Sequence, residues 1–151
     1  LRHHDFDTIV SFNVLEHLED DLAAVQQLVA LLAESAARGP KRLVSFVPAH
    51  PWAFGAIDEA YGHFRRYSAR ALRRLMTSAA PGCRYFARHF NVFGLPGWIV
   101  LGRMLRRARI DPAAVAAFER LCPYLRGLDD FLHVRLKLPL GQSLVAVAEL
   151  P

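Results

Sequence analysis

The chain has 151 residues, and 19 Lys and Arg against 14 Asp and Glu give a formal charge of +5 with the histidines neutral. A hydrophobic share of 53% beside 22% charged residues is the balance of a folded domain with its own core, which excludes intrinsic disorder, collagen-like repetition and a coiled coil. Cys83 and Cys122 lie far apart without metal-ligand spacing, which excludes a disulfide scaffold and a cysteine-based zinc site.

Residues 6–14, FDTIVSFNV, are β-branched and aromatic with almost no polar interior, the pattern of a central parallel strand covered on both faces. Such a strand directly after Leu1-Arg2-His3-His4-Asp5 leads us to expect that the start of the domain is missing. From Asp20 the spacing of Leu22, Val25, Leu28, Val29 and Leu32 predicts an amphipathic helix, with Gln26, Gln27 and Glu34 facing water and Gly39-Pro40 as its stop. Residues 43–47 read as a second buried strand ended by Pro48, and strand, helix, strand in that order implies a right-handed parallel crossover and an α/β class.

The stretch from Pro48 to Tyr67 has aromatics, histidines and arginines without a clean period, and loops after parallel strands are where such folds place ligands. Ser68 is an N-cap for a helix with Leu72, Leu75, Met76 and Ala79 on one face and Arg70, Arg73 and Arg74 on the other, ended by Pro81-Gly82. Residues 84–90 read as a third strand and 93–107 as an apolar helix broken at its start. Asp111-Pro112 opens a further helix to about Leu125, so that 93–130 forms a helical insertion or lid. Residues 134–138 and 143–150 flank the turn at Pro139-Leu140-Gly141 as an antiparallel hairpin. The apolar stretch from Phe90 to Gly102 is too short to span a bilayer, and no basic-then-apolar leader is present, so a cytoplasmic location is the default.

Residues 6–20, FDTIVSFNVLEHLED, resemble the fourth-strand motif of the class I S-adenosylmethionine-dependent methyltransferases, in which an F-D-x-I-V strand ends in a V-L-E-H turn. Val47-Pro48-Ala49 is similar to the end of that family's fifth strand, and residues 61–68, YGHFRRYS, to the G-H-x-R-R-Y-S segment of one subgroup. Residues 90–98 and 143–148 resemble its sixth-strand exit and last strand, so the resemblance covers nearly all of 1–151 in order. It departs at Arg38-Gly39-Pro40-Lys41, where the family usually has Pro-Gly-Gly. The resemblance implies a partial Rossmann-like sheet, strands four to seven, with flanking helices on both faces and an antiparallel last strand. It also implies that 1–151 is the C-terminal part of a single methyltransferase domain. S-adenosyl-L-methionine would be the cofactor, with Asn13, Val14, Leu15, Glu16 and His17 beside its methionine moiety. No G-x-G-x-G loop follows any strand, so half of the family's cofactor site lies outside this sequence, and weak or no cofactor binding is expected of it alone.

Read as chemistry, a methyl acceptor must be positioned and, for a hydroxyl or amine, relieved of its proton. A histidine suits that task, with His63 the first candidate base, His50 the second and Tyr67 a further catalytic candidate. Tyr61, Arg65 and Arg66 are the candidate acceptor-binding residues, the arginines as a clamp for an anionic group. The plainer alternatives are a hydrogen-bonded structural loop with outward arginines, and helix-initiating polar residues at Glu16 and His17. Without i, i+4 histidine pairs, no metal is assigned, and His3-His4 is terminal. The basic residues lack the interleaved aromatics of nucleic-acid binders, which argues against that partner. Residues 93–109, apolar with Arg103, Arg106, Arg107 and Arg109 at the end, suit a peripheral membrane contact or a lid over the acceptor site equally well. The resemblance implies an acceptor that is a small molecule or a lipid- or glycan-linked group, which the sequence does not identify, nor does it set the oligomeric state. A catalytically silent binding or oligomerisation module derived from the same fold is the alternative reading.

Overall fold

The computed structural model describes residues 5–151; the expectations attached to Leu1 and to His3-His4 lie outside them. The chain forms an α/β structure around a four-stranded mixed sheet. Its first half gives β1 (Thr8–Phe12), α1 (Asp21–Glu34) and β2 (Arg42–Pro48), a parallel crossover as the sequence predicts. Then follow α2 (Ala56–Ala60), α3 (Ala69–Ala79) and β3 (Arg84–Phe90). The short α4 (Gly94–Trp98) runs on as a π-helical turn over Ile99–Met104, α5 (Pro112–Asp130) as another over Phe131–Arg135, and β4 (Ser143–Glu149) closes the sheet.

The strand order is β1-β2-β4-β3, with β4 antiparallel to both neighbours. The last strand thus slots between two that precede it, giving a mixed α/β sheet with an antiparallel last strand and flanking helices. Its position corrects the expected hairpin. Residues 134–138 alternate like a strand, yet the helical path of α5 continues through Arg135. His133 holds it there, with Nδ1 2.7 Å from the Asp129 carbonyl and Nε2 2.7 Å from that of Leu140. The partners of β4 come from distant strands, a long-range pairing that overrides the local pattern.

The helices α1 and α3 pack on one face of the sheet, where Leu43, Val47, Leu144, Ala146 and Ala148 meet Val25, Leu32, Leu72 and Met76. Caps fix both helices: the Asp20 carboxylate accepts from the Ala23 N–H and the Ser68 hydroxyl from the Ala71 N–H. The expected helix at Asp20 stops early, at Glu34 rather than Gly39-Pro40, and its Leu22 is exposed.

Among the described residues β1 is an edge strand, and one further expectation is corrected: helices cover one face of the sheet rather than both. The other face presents a row running Val10, Val44, Val147, Phe86 across all four strands, and beside it Phe12, Phe46 and Val145. Val10, Phe12 and Phe86 are more than 60% exposed, and Phe12 stacks on Phe46 with ring centroids 4.3 Å apart. At one end of this face Glu149 pairs with Arg42 at 3.0 Å and Arg84 at 3.1 Å. Both cysteines are free thiols, and among the described residues no helix is long and apolar enough to cross a membrane.

Candidate functional site

The parallel strands β1 and β2 end side by side, and the chain leaving each of them builds a cleft of about 320 Å³. β1 is followed by Asn13, whose positive φ of 50° turns the backbone out of the sheet, and by a 3-10 turn over Leu15–His17. From the other side come Tyr61, His63 and Arg66, with Trp98 of α4 and the start of β4, Gln142 and Ser143, closing the cleft. Open α/β sheets place ligands outside the carboxyl ends of parallel strands, and this cleft has that position.

The loop from His50 to Tyr67 is tied to this corner by main-chain bonds. The Phe64 N–H donates to the Glu16 carbonyl at 2.8 Å, the Tyr67 N–H to Pro48 at 2.8 Å and the His50 N–H to Tyr67 at 2.9 Å. Tyr67 is buried; its phenol donates to the Leu15 carbonyl at 3.1 Å and lies 2.8 Å from the Asp21 carboxylate, and burial, reinforced by Asp21, pushes its pKa far up. Tyr67 therefore locks the loop to the turn after β1 and lies outside the cleft lining.

Asp58 is the hub of the site, and it is wholly buried. One carboxylate oxygen lies 2.9 Å from His63 Nδ1 and 2.9 Å from Arg66 Nε; the other accepts from the Gly55 N–H at 3.0 Å and from Trp98 Nε1 at 3.1 Å. Burial alone would raise this carboxyl, but the His63 hydrogen bond and the Arg66 charge hold it below the usual range. Arg66 also donates to the Ala49 carbonyl and lies over the Trp98 ring at 4.9 Å, so its charge is answered within the protein. Burial lowers its pKa, against the opposing pull of Asp58.

Glu16 is buried as well, and neither carboxylate oxygen has a hydrogen-bond partner. Desolvation raises its pKa, opposed by the nearness of its own main-chain N–H and by the charges of His63, His17 and Arg66. The His17 and His63 rings meet edge to face with centroids 4.7 Å apart.

The structure thus brings His17, Tyr61, His63 and Arg66 of the expected residues together on one cleft, with Asn13 at its rim. Val14 is exposed beside it and Leu15 is in the core. Arg65 turns away: it pairs with Asp21 at 3.1 Å and donates to the Glu19 carbonyl. His50 stands in a separate stack, its ring 5.0 Å from His89 and 5.1 Å from Trp52, with Nε2 3.4 Å from the Gly141 N–H. Sequence reasoning missed Asp58, Trp98, Gln142 and Ser143. Asp58 had one signal, an acid five residues before a histidine and eight before an arginine; the others arrive from distant elements.

No family model matches the chain, nor does any curated protein. Among solved structures it is similar to the crystal structure of a SAM-dependent methyltransferase from Archaeoglobus fulgidus, with a TM-score of 0.48 and 16% identity. The match covers 96% of this chain and 59% of the other, so the chain spans about three fifths of that protein's length.

Proposed function

We propose that the complete protein transfers a methyl group from S-adenosyl-L-methionine to a small-molecule, lipid-linked or glycan-linked acceptor, and that the cleft is the acceptor end of its active site. The observation that carries this reading is the Asp58–His63 pair beside the V-L-E-H turn, at the carboxyl ends of β1 and β2. The residues present fit one end of the cofactor: Asn13 and Val14 are exposed where β1 ends, and His17 faces the cleft. Bound there, S-adenosylmethionine would supply an activated methyl carbon on a sulfonium. Asp58 orients His63 through Nδ1, so that Nε2 takes the proton an acceptor hydroxyl or amine loses. Tyr61 and Arg66 line the acceptor's path and Trp98 closes it as part of a lid over 93–130, while Val100, Met104 and Leu105 of 93–109 are exposed for contact with a lipid surface.

The test is a titration of the isotope-labelled chain with S-adenosylhomocysteine, followed by amide NMR, which detects weak binding. Shifts clustered on 13–17 and 61–66 are expected. Shifts confined to residues away from this corner would overturn the cofactor reading and favour the silent module, for which the uncovered sheet face speaks.

A further inference from the structure

Glu16 and His17 are neighbours on the 3-10 turn after β1, and His63 joins them from the loop after α2. One ligating atom from each lies within 4.8 Å of the other two. Two features set this cluster apart from a chance meeting of polar side chains. Glu16 is fully buried with both carboxylate oxygens unpartnered, although an unpaired buried carboxylate is costly and calls for a counter-charge within reach. His63 is already oriented as metal-bound imidazoles are, one ring nitrogen held by a carboxylate and the other free to ligate. Asp58 supplies that carboxylate, and it is itself fixed by Arg66, Gly55 and Trp98.

We propose that Glu16, His17 and His63 form a three-ligand site for a divalent metal ion of the zinc class, with Asp58 as the outer partner of His63 and the remaining coordination position open to the cleft. The donor set of two imidazole nitrogens and one carboxylate oxygen suits zinc and its transition-metal neighbours; magnesium and calcium favour all-oxygen shells. In a tetrahedral zinc site the ligand atoms stand about 3.3 Å apart. The three ligand atoms already lie within 4.8 Å of one another, so loading draws them somewhat closer, and His17 is exposed at the solvent side of the cluster. The site stands on these three side chains and does not depend on methyl transfer. It bears on that reaction in one way: a single Nε2 lone pair on His63 serves either a proton or a metal ion, so the loaded protein has lost its candidate base.

The experiment uses the whole chain, stripped with a chelator and titrated with zinc chloride against a chromophoric competitor, then with cobalt chloride for its visible spectrum. One ion per chain is expected, with the cobalt absorption of a four- or five-coordinate site. His17→Ala, an exposed change that leaves the core intact, and Glu16→Gln should each weaken binding by more than the about 10- to 100-fold that loss of an outer partner costs. His63→Ala should do the same, and thermal melting of each variant without metal checks its fold. A His3→Ala/His4→Ala double variant should bind as the parent does. No stoichiometric binding, undiminished binding by His17→Ala, or loss of binding in the His3/His4 variant would each overturn the site. The homocysteine titration is read without metal, so the two proposals fail separately.

Discussion

Asp58 gathers more of this molecule than any residue the sequence singles out. Its ion pair with Arg66 leaves both side chains at 1% exposure or less, and removing one member strands the other charge away from water. Asp58→Ala should therefore cost about 3–5 kcal/mol in urea unfolding, and a cost below 1 kcal/mol would show that water reaches Arg66. A second residue-scale prediction concerns pH. His89 is held down to about 4 by burial first and then by the charges of His50 and His133, while an unfolded chain protonates histidine near 6.5. Below pH 6.5 the unfolded state binds a proton that the folded state refuses, so this share of stability is full above 6.5 and is lost as pH falls toward and through 4. His89→Gln should flatten the slope of unfolding free energy across that window, and parallel slopes would refute the assignment. At this scale the sequence displayed chemistry but not partnership. His63 and Arg66 announce themselves by type, whereas Asp58 resembles any acid in the first turn of a short helix until the fold brings four donors to it.

Among the elements, α5 stands out for how little of it is covered. Leu121, Tyr124 and Leu128 are exposed, and its end is tied down by Asp129, whose carboxylate accepts from the Asn91 N–H at 3.1 Å and the Val92 N–H at 2.7 Å. Asp129→Ala should speed hydrogen exchange across 112–135 while β2 and β4 keep their protection, and unchanged exchange in α5 would show that other contacts hold it. Elements defined by local chemistry were legible in advance. The Ser68 and Asp111 caps mark the starts of α3 and α5, and β3 occupies the residues its composition predicts. Where a distant partner decides, the pattern misled: 134–138 has the alternation of a strand, but no sheet edge meets it, because β3 and β2 already take both sides of β4.

For the whole molecule, the decisive asymmetry is between the two faces of the sheet. One carries the core under α1 and α3; the other shows Val10, Phe12 and Phe86 to solvent, beside an edge of β1 that is unpaired among the described residues. Exposed apolar sheet surface of this kind promotes association. Phe12→Thr/Phe86→Thr should lower light scattering on heating below that of the parent at equal concentration, and unchanged scattering would place the sticky surface elsewhere. The residues of this face were correctly read as strand, but their alternation could not say whether anything covers them. The placement of β4 between β2 and β3 has a consequence for biosynthesis. On the ribosome β3 emerges long before the strand that will pair with it, and β2 can begin only its pairing with β1. The middle of the sheet is therefore the last of its strands to be made, and until residues 143–149 leave the exit tunnel β2 and β3 have no strand between them, with only the packing of α1 on α3 to join their two parts.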